Sequence, residues 1–299
     1  MQKPDYYISN FSGGKDSTAV TLRLIELGEP LDEVLCCDTT MEFPAMYRHI
    51  EKVKAVVEAA GVKFTILRAE RDFEYYLCDY EVENRKPQSD LYGKTGYGWP
   101  GHKTRWCTAS LKTSIVKKYL TERQKEHNVI QYIGIAADED YRMERKGNQN
   151  PNHRHPLRDW GWTEADALAY CFAKGYDWEG LYKVFDRVSC WCCPLKSYDE
   201  LRALRRHYPE LWARMLDLDA RQGKKFAHGY TVADFDCRFA LEDALANAGE
   251  SITNRAFFAD LKRHLSGEVT AQDILSERHA RRLEEIAKKQ IKGQISIQL

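Results

Sequence analysis

Six consecutive residues near the start, Ser12-Gly13-Gly14-Lys15-Asp16-Ser17, hold the first concentration of reactive side chains in this 299-residue sequence. A β-prone aromatic stretch, Tyr6–Phe11, precedes them, and a helical apolar pattern, Thr18–Leu27, comes after. Two glycines at such a strand-to-helix turn leave backbone N–H groups pointing outward at the positive end of a helix dipole, a place for an anion such as phosphate. Lys15 adds a point charge, and the hydroxyls of Ser12 and Ser17 add donors. Asp16 would repel a phosphate unless a Mg²⁺ stood between them. The second concentration is of cysteine. Cys190, Cys192 and Cys193 crowd into four residues, and Cys107 lies in a segment that the same edge of a sheet could receive. Thiolates that close together call for a shared metal. Four of them from two segments suit a 4Fe-4S cluster or a tetrahedral Zn²⁺. The tandem Cys192-Cys193 argues for the cluster and the Cys190-x-x-Cys193 spacing keeps zinc open, as is the choice between three ligands and four. Cys36, Cys37, Cys78 and Cys171 sit in apolar patterns and read as core; Cys237 reads as a partly buried thiol.

Both concentrations depend on a scaffold of strands and helices. Strands are expected at Tyr6–Phe11, Glu33–Cys37, Val62–Leu67 and Val129–Ile135, with helices between them, one of them starting at Pro44 and ending before Gly61. Repeated β-α-β units predict an α/β fold with a doubly wound, mostly parallel sheet, whose ligands bind beyond the carboxyl ends of the strands. The Gly- and Pro-rich stretch 84–101, with Trp99, reads either as a substrate lid or as a disordered excursion. Asn148–Arg154 reads as a polar loop. From Ser197 onward the pattern is helical, with capping pairs Thr163/Asp166 and Ser197/Glu200 marking two helix starts. The expected division is a nucleotide-binding α/β domain with the cysteine site at 1–195 and a helical C-terminal region at 196–299.

Composition bounds the function classes. Apolar content of 43% and charged content of 30% describe an ordinary globule, and a formal net charge of +0 supplies no global attraction to nucleic acid. No apolar run reaches the roughly 18 residues of a membrane span, and Met1–Asp5 lacks a signal-peptide core, so a cytoplasmic location with reduced cysteines is expected.

Ser12–Ser17 resembles the PP-loop, SGGxDS, of AMP-forming ATP pyrophosphatases and of the related phosphoadenylyl-sulfate (PAPS) reductases. Asp38-Thr39-Thr40-Met41-Glu42-Phe43-Pro44 is similar to the DTGxxFPET segment that borders the adenosine in that superfamily. Gly134–Arg142 looks like its second phosphate-side motif. His155-Pro156-Leu157 through Trp160, Asp166 and Tyr170 is similar to its "nPL.dW…dV..Y" helix, and Leu181-Tyr182 with Cys190-Trp191-Cys192-Cys193-Pro194 to its "LY…GC..CP" segment. The resemblance covers about residues 5–195 in family order. It implies an adenine nucleotide alpha hydrolase-like fold with a C-terminal helical extension. It also implies ATP bound at Ser12–Ser17 with its adenosine at Asp38, Thr39 and Thr40, Gly134 on the phosphate side, and Lys15, Asp16 and Arg142 as catalytic residues.

An intact SGGKDS together with the clustered-cysteine site resembles the ATP pyrophosphatases of bacterial DNA phosphorothioation systems most, and iron–sulfur tRNA thiolases more distantly, while no cysteine after Cys237 offers the tail nucleophile of the reductases. The chemistry this implies is adenylation of an acceptor, release of pyrophosphate, and displacement of AMP by sulfur. A sulfur donor such as a cysteine desulfurase and sulfur-modification proteins are the implied partners. The alternatives are a PAPS or adenylyl-sulfate reductase, and a non-catalytic nucleotide-binding subunit with structural zinc. Two basic runs flank the cysteines: Lys103, Arg105, Lys112, Lys117 and Lys118 with Trp106, and Lys196, Arg202, Arg205 and Arg206. They fit nucleic acid contact and solvated helix faces equally well.

Overall fold

A computed structural model describes residues 3–83, 86–89 and 91–297, with side chains as far as 290. Five parallel strands form one sheet in the order β3-β2-β1-β4-β5. They are β1 (Asp5–Phe11), β2 (Glu33–Asp38), β3 (Lys63–Arg68), β4 (Asn128–Tyr132) and β5 (His153–Arg154). The order reverses between β1 and β4, so a crevice opens there beyond the strand ends. The loop after β1 carries Ser12–Ser17 and the loop after β4 carries Gly134, so both candidate phosphate segments lie at this reversal.

Side-chain alternation along β1 explains the two layers. Tyr6 and Ile8 face a cluster with Leu35, Val129 and the residues Val116, Tyr119 and Leu120 of helix α3 (Ser114–Arg123). Ser9 and Phe11 face the opposite layer, where Ser9 Oγ lies 2.8 Å from Thr21 Oγ1 of α1 (Lys15–Leu27) and Phe11 stacks on His49 of α2 (Pro44–Ala59). Pro44 begins α2 at its first turn, as expected, because its missing N–H falls among the groups that lack an intrahelical partner. Helix α4 (Glu164–Ala173) packs on α1 and starts with a full Thr163/Asp166 capping box.

Two readings of the sequence need correction. The stretch expected to be a polar loop includes β5, whose Gln131↔His153 and Tyr132↔Arg154 register extends the sheet by one strand of two residues, too short for any periodicity to show. Residues 91–101 are not a disordered excursion. Trp99 is fully buried and its Nε1 donates to Asp219 Oδ1 at 2.7 Å, while Gly96, Tyr97 and Gly98 donate backbone hydrogen bonds to carbonyls of Tyr80, Tyr76 and Leu77. Residues 84, 85 and 90 of that stretch lie outside the described residues.

The chain forms two compact units, Met1–Lys224 and Lys225–Leu299, a division later than the 195/196 boundary expected from composition. Helices α5 (Tyr198–His207) and α6 (Pro209–Arg221) belong to the first unit. The second contains α7 (Val232–Asn247), α8 (Arg255–Leu265) and α9 (Ala271–Ile297) around Leu241, Leu245, Phe257, Leu261 and Ile274. Inside it the buried guanidinium of Arg278 donates to Asp260 Oδ2 at 2.9 Å. Among the described residues no helix is long and apolar enough to cross a membrane.

Candidate functional site

The turn after β1 is tied to itself and to its surroundings. Ser17 Oγ accepts from Ser12 N at 3.1 Å, lies 3.1 Å from Ser12 Oγ and donates to Gly14 O at 3.0 Å. Gly13 has φ +79°, and a Cβ there would sit 2.5 Å from Met46 Sδ of α2, so both the backbone conformation and the packing require glycine. The Gly13 carbonyl accepts from Trp178 Nε1 at 2.7 Å, and the Lys15 N–H donates to Tyr182 Oη at 2.9 Å. Gly134 serves by closeness: a Cβ would lie 3.0 Å from Asp16 C and 3.0 Å from Ser17 N, so the turn after β4 can press against the Ser12–Ser17 backbone only without a side chain.

Two cavities open on this turn. One of about 260 Å³ is lined by Asn10, Ser12, Gly14, Asp16, Ser17, Ile133, Gly134 and Arg142. The other, about 320 Å³, is lined by Cys107, Cys190, Cys192 and Cys193 together with Thr39, Glu42, Arg105, Lys112 and Arg187, and again by Ser12 and Gly14. The turn is thus a wall common to a phosphate-sized cavity and to a cysteine chamber. Asp16 lines the phosphate cavity, and Lys15 pairs with it. Lys15 Nζ lies 3.3 Å from Asp16 Oδ2 and 3.1 Å from Glu164 Oε1. Among the described residues, Asp16, Glu139 and Glu164 bring three carboxylate oxygens within 4.8 Å of one another. Burial raises the Asp16 carboxyl above its ordinary range even against the field of Lys15, and its Oδ1 is buried with no hydrogen-bond partner. Lys15 pairs with one oxygen of this carboxylate, and the other faces Glu139 and Glu164, a set of oxygens of the kind that holds Mg²⁺. Arg142 lies in the same wall but spends Nη1 on both oxygens of Glu139, at 2.9 and 2.7 Å.

Cys107, Cys190, Cys192 and Cys193 all line the cysteine chamber. Burial raises Cys190 and Cys192 far above the ordinary thiol range, with neighbouring acidic groups adding to it, and Cys107 rises from burial as well. Cys190 Sγ donates to Glu42 Oε1 at 3.3 Å and lies 3.5 Å from Thr39 Oγ1. Lys112 is raised: burial opposes its charge, and the fields of Cys190, Glu42, Cys37 and Cys107 outweigh that penalty. Four thiols lining one chamber are a donor set that fits either a 4Fe-4S cluster or a tetrahedral zinc.

The remaining expected site residues lie elsewhere. Asp38 and Thr40 line neither cavity. The Asp38 carboxylate accepts from Thr40 N at 2.7 Å, Tyr47 Oη at 2.9 Å and Arg68 Nε at 3.0 Å, which fixes the loop bearing Thr39 and Glu42. Thr40, in that loop, has φ 65°, a conformation that strains a β-branched residue. Two side chains offered as nucleic acid contacts are buried instead: Trp106 sits 4.9 Å from the Phe73 ring, and Lys196 lies against Phe185 at 4.7 Å and Phe43 at 5.6 Å. Arg158 pairs with Asp140 at 2.6 Å. Sequence reasoning missed Glu139 and Glu164 as partners of Asp16, and Trp178 and Tyr182 as supports of the turn. An acid in a first helical turn, as Glu164 is, reads as complement to the helix dipole. Nothing in the spacing points it at Lys15.

The sequence pattern of the phosphoadenosine phosphosulfate reductase domain matches residues 7–196. Two uncharacterized proteins of Methanocaldococcus jannaschii are similar. One is 28% identical over 211 residues, which cover 68% of this chain and 39% of that protein; the other is 27% identical over 221 residues, 72% and 48%. The chain therefore spans less than half the length of these curated relatives. Among solved structures, the U34-tRNA thiolase NcsA from Methanococcus maripaludis with its 4Fe-4S cluster is similar at a TM-score of 0.37 and 15% identity, covering 73% of this chain and 74% of that one, a likeness too slight to argue from.

Proposed function

This chain belongs to the phosphoadenosine phosphosulfate reductase domain family, and from that premise we propose that it is an AMP-forming PP-loop ATP pyrophosphatase that activates an acceptor for sulfur transfer. The observation that carries the reading is the common wall: Ser12 and Gly14 line both the phosphate cavity and the cysteine chamber. A nucleotide whose β- and γ-phosphates rest on the turn would present its α-phosphorus where the two cavities meet. The unpartnered Asp16 Oδ1, with Glu139 and Glu164, fits a Mg²⁺ escorting those phosphates. Lys15 pairs with Asp16 and Glu164 and would neutralise charge gathering on the leaving pyrophosphate, with Arg142 of the cavity lining as a second cation. Thr39, on the chamber side, is the nearer of the adenosine-side candidates, with Asp38 and Thr40 holding its loop.

In the first half-reaction an acceptor oxygen bonds to the α-phosphorus, the bond from that phosphorus to the bridging oxygen breaks, and pyrophosphate leaves with the electron pair. In the second, a sulfur nucleophile attacks the activated atom and AMP leaves with the former acceptor oxygen. Cys107, Cys190, Cys192 and Cys193 would hold a 4Fe-4S cluster, which supplies sulfide-binding or electron-transfer capacity when bound. Lys112 and Glu42 set the charge around those thiols. A backbone phosphate of DNA, with a cysteine desulfurase as sulfur source, is the acceptor that the motif set favours.

Incubating anaerobically prepared protein with Mg²⁺-ATP, hydrosulfide and partner proteins should yield AMP and pyrophosphate, and Lys15→Ala should abolish both. ADP as the product, or no turnover, contradicts the reading. Sulfite released from PAPS or adenylyl sulfate with a thiol reductant would replace it by the reductase. One zinc per chain without turnover would replace it by a nucleotide-binding subunit.

A further inference from the structure

The segment Asp177–Tyr182 holds the phosphate turn from behind, and its backbone is strained. Trp178 and Glu179 have φ of 49° and 53°, and Gly180 comes next at 85°. A left-handed conformation is disfavoured for any non-glycine residue, and a bulky aromatic there is a genuine outlier. Strain of this kind persists only where the surroundings over-determine it. Here they do. Asp177 Oδ1 accepts from Glu179 N at 3.0 Å, and Glu179 pairs with Arg48 of α2 through two hydrogen bonds, of 2.6 and 2.5 Å. What the distortion achieves is the placement of Trp178. Its ring is 1% exposed, stacks on His49 at 4.4 Å and packs edge-on to Tyr182 at 4.8 Å, and its only polar atom donates to Gly13 O.

We propose that Trp178 is a positioning residue that presets the Gly13–Gly14 peptide for phosphate binding, with the left-handed turn as its mount. This rests on the reading of Ser12–Ser17 as a phosphate loop. A trans peptide is planar, so its C=O and the next N–H point in opposite directions. Anchoring the Gly13 oxygen on the buried indole therefore aims the Gly14 N–H the other way, and Gly14 lines both cavities. Flanked by two glycines, that peptide has no side-chain barrier to turning over. A turned-over peptide would present an oxygen, not an N–H, to the nucleotide and repel it. The two glycines that let the loop approach phosphate are the reason an external anchor is needed.

The test uses inorganic pyrophosphate with Mg²⁺ as the probe, titrated calorimetrically into the full chain well below its melting temperature. Trp178→Phe keeps an aromatic ring beside His49 while removing the donor along with part of the indole's bulk, and it should weaken pyrophosphate binding about tenfold, or about 1.4 kcal/mol. Iron or zinc content should match the unmodified protein. A merely structural role would lower the melting temperature and leave the affinity of the folded protein unchanged, which would overturn the proposal. No pyrophosphate binding by the unmodified protein would instead overturn the reading of the loop. Should Trp178→Phe not fold, the unmodified protein answers the question by NMR: the Trp178 indole N–H should be downfield-shifted, slow to exchange and still bonded when pyrophosphate is bound. Rapid exchange in the free protein, or loss of the bond on binding, would overturn the proposal.

Discussion

Gly134 and His49 both act on the phosphate turn, one by close backbone packing and the other through Thr18 and Trp178. Gly134→Ala would drive a methyl to 3.0 Å from two backbone atoms of Asp16 and Ser17, a contact that moves the turn and not a flexible side chain. Mg²⁺-ATP affinity should fall about tenfold, read by calorimetry, with little loss of secondary structure; unchanged affinity would mean that the turn is not the binding element. His49 is held neutral, its pKa pushed down to about 4 by burial, with the Lys52 charge adding to it. Its Nε2 lies 3.0 Å from Thr18 Oγ1, and its ring carries Trp178. Because folding favours the neutral ring, its contribution to stability is complete above the unfolded pKa of about 6.5 and is lost as pH falls toward 4, by about 3 kcal/mol in all. Urea unfolding at pH 7 and pH 4.5 should show this loss in the natural protein and a smaller one in His49→Gln. The loop itself was legible because its six residues are consecutive. The carboxylates that join Asp16 were not, because Glu139 and Glu164 reach it from the segment after β4 and the first turn of α4, and only the fold brings those together.

Among the elements, the βα units were legible because each strand is a short apolar run and each helix has a start signal. Thr163 and Asp166 show how such a signal reaches the site. Their capping box fixes the first turn of α4, and that turn presents Glu164 to Lys15. Thr163→Ala should cost about 1 kcal/mol and lower the melting temperature by roughly 2–4 °C. It should also loosen the Lys15–Glu164 pair, which would appear as a weaker response of nucleotide binding to Mg²⁺. A cap that served only the helix would change the melting temperature alone. Local preference failed at β5, too short to pattern, and at Trp178–Gly180, where two residues adopt a backbone conformation that their own types disfavour. Both failures fall beside the site. The first sits next to the order reversal that opens the crevice, and the second mounts the anchor of Gly13.

Over the whole chain, the phosphate cavity and the cysteine chamber are proposed to be one site with one common wall. The four cysteines should act as a set. Replacing any of Cys107, Cys190, Cys192 or Cys193 by alanine should remove most iron and acid-labile sulfide from anaerobically prepared protein, while Cys237→Ala, in the second unit, should leave both in place. The most direct test of the common wall is spectroscopic. The electron paramagnetic resonance spectrum of the reduced protein should be recorded with and without Mg²⁺-ATP, at a nucleotide concentration shown by calorimetry to saturate the loop. A shared wall predicts that nucleotide on Ser12 and Gly14 alters the cluster signal, and that Lys15→Ala removes the effect by removing the binding. An identical spectrum at saturation, or a protein that carries zinc and no iron, would contradict it.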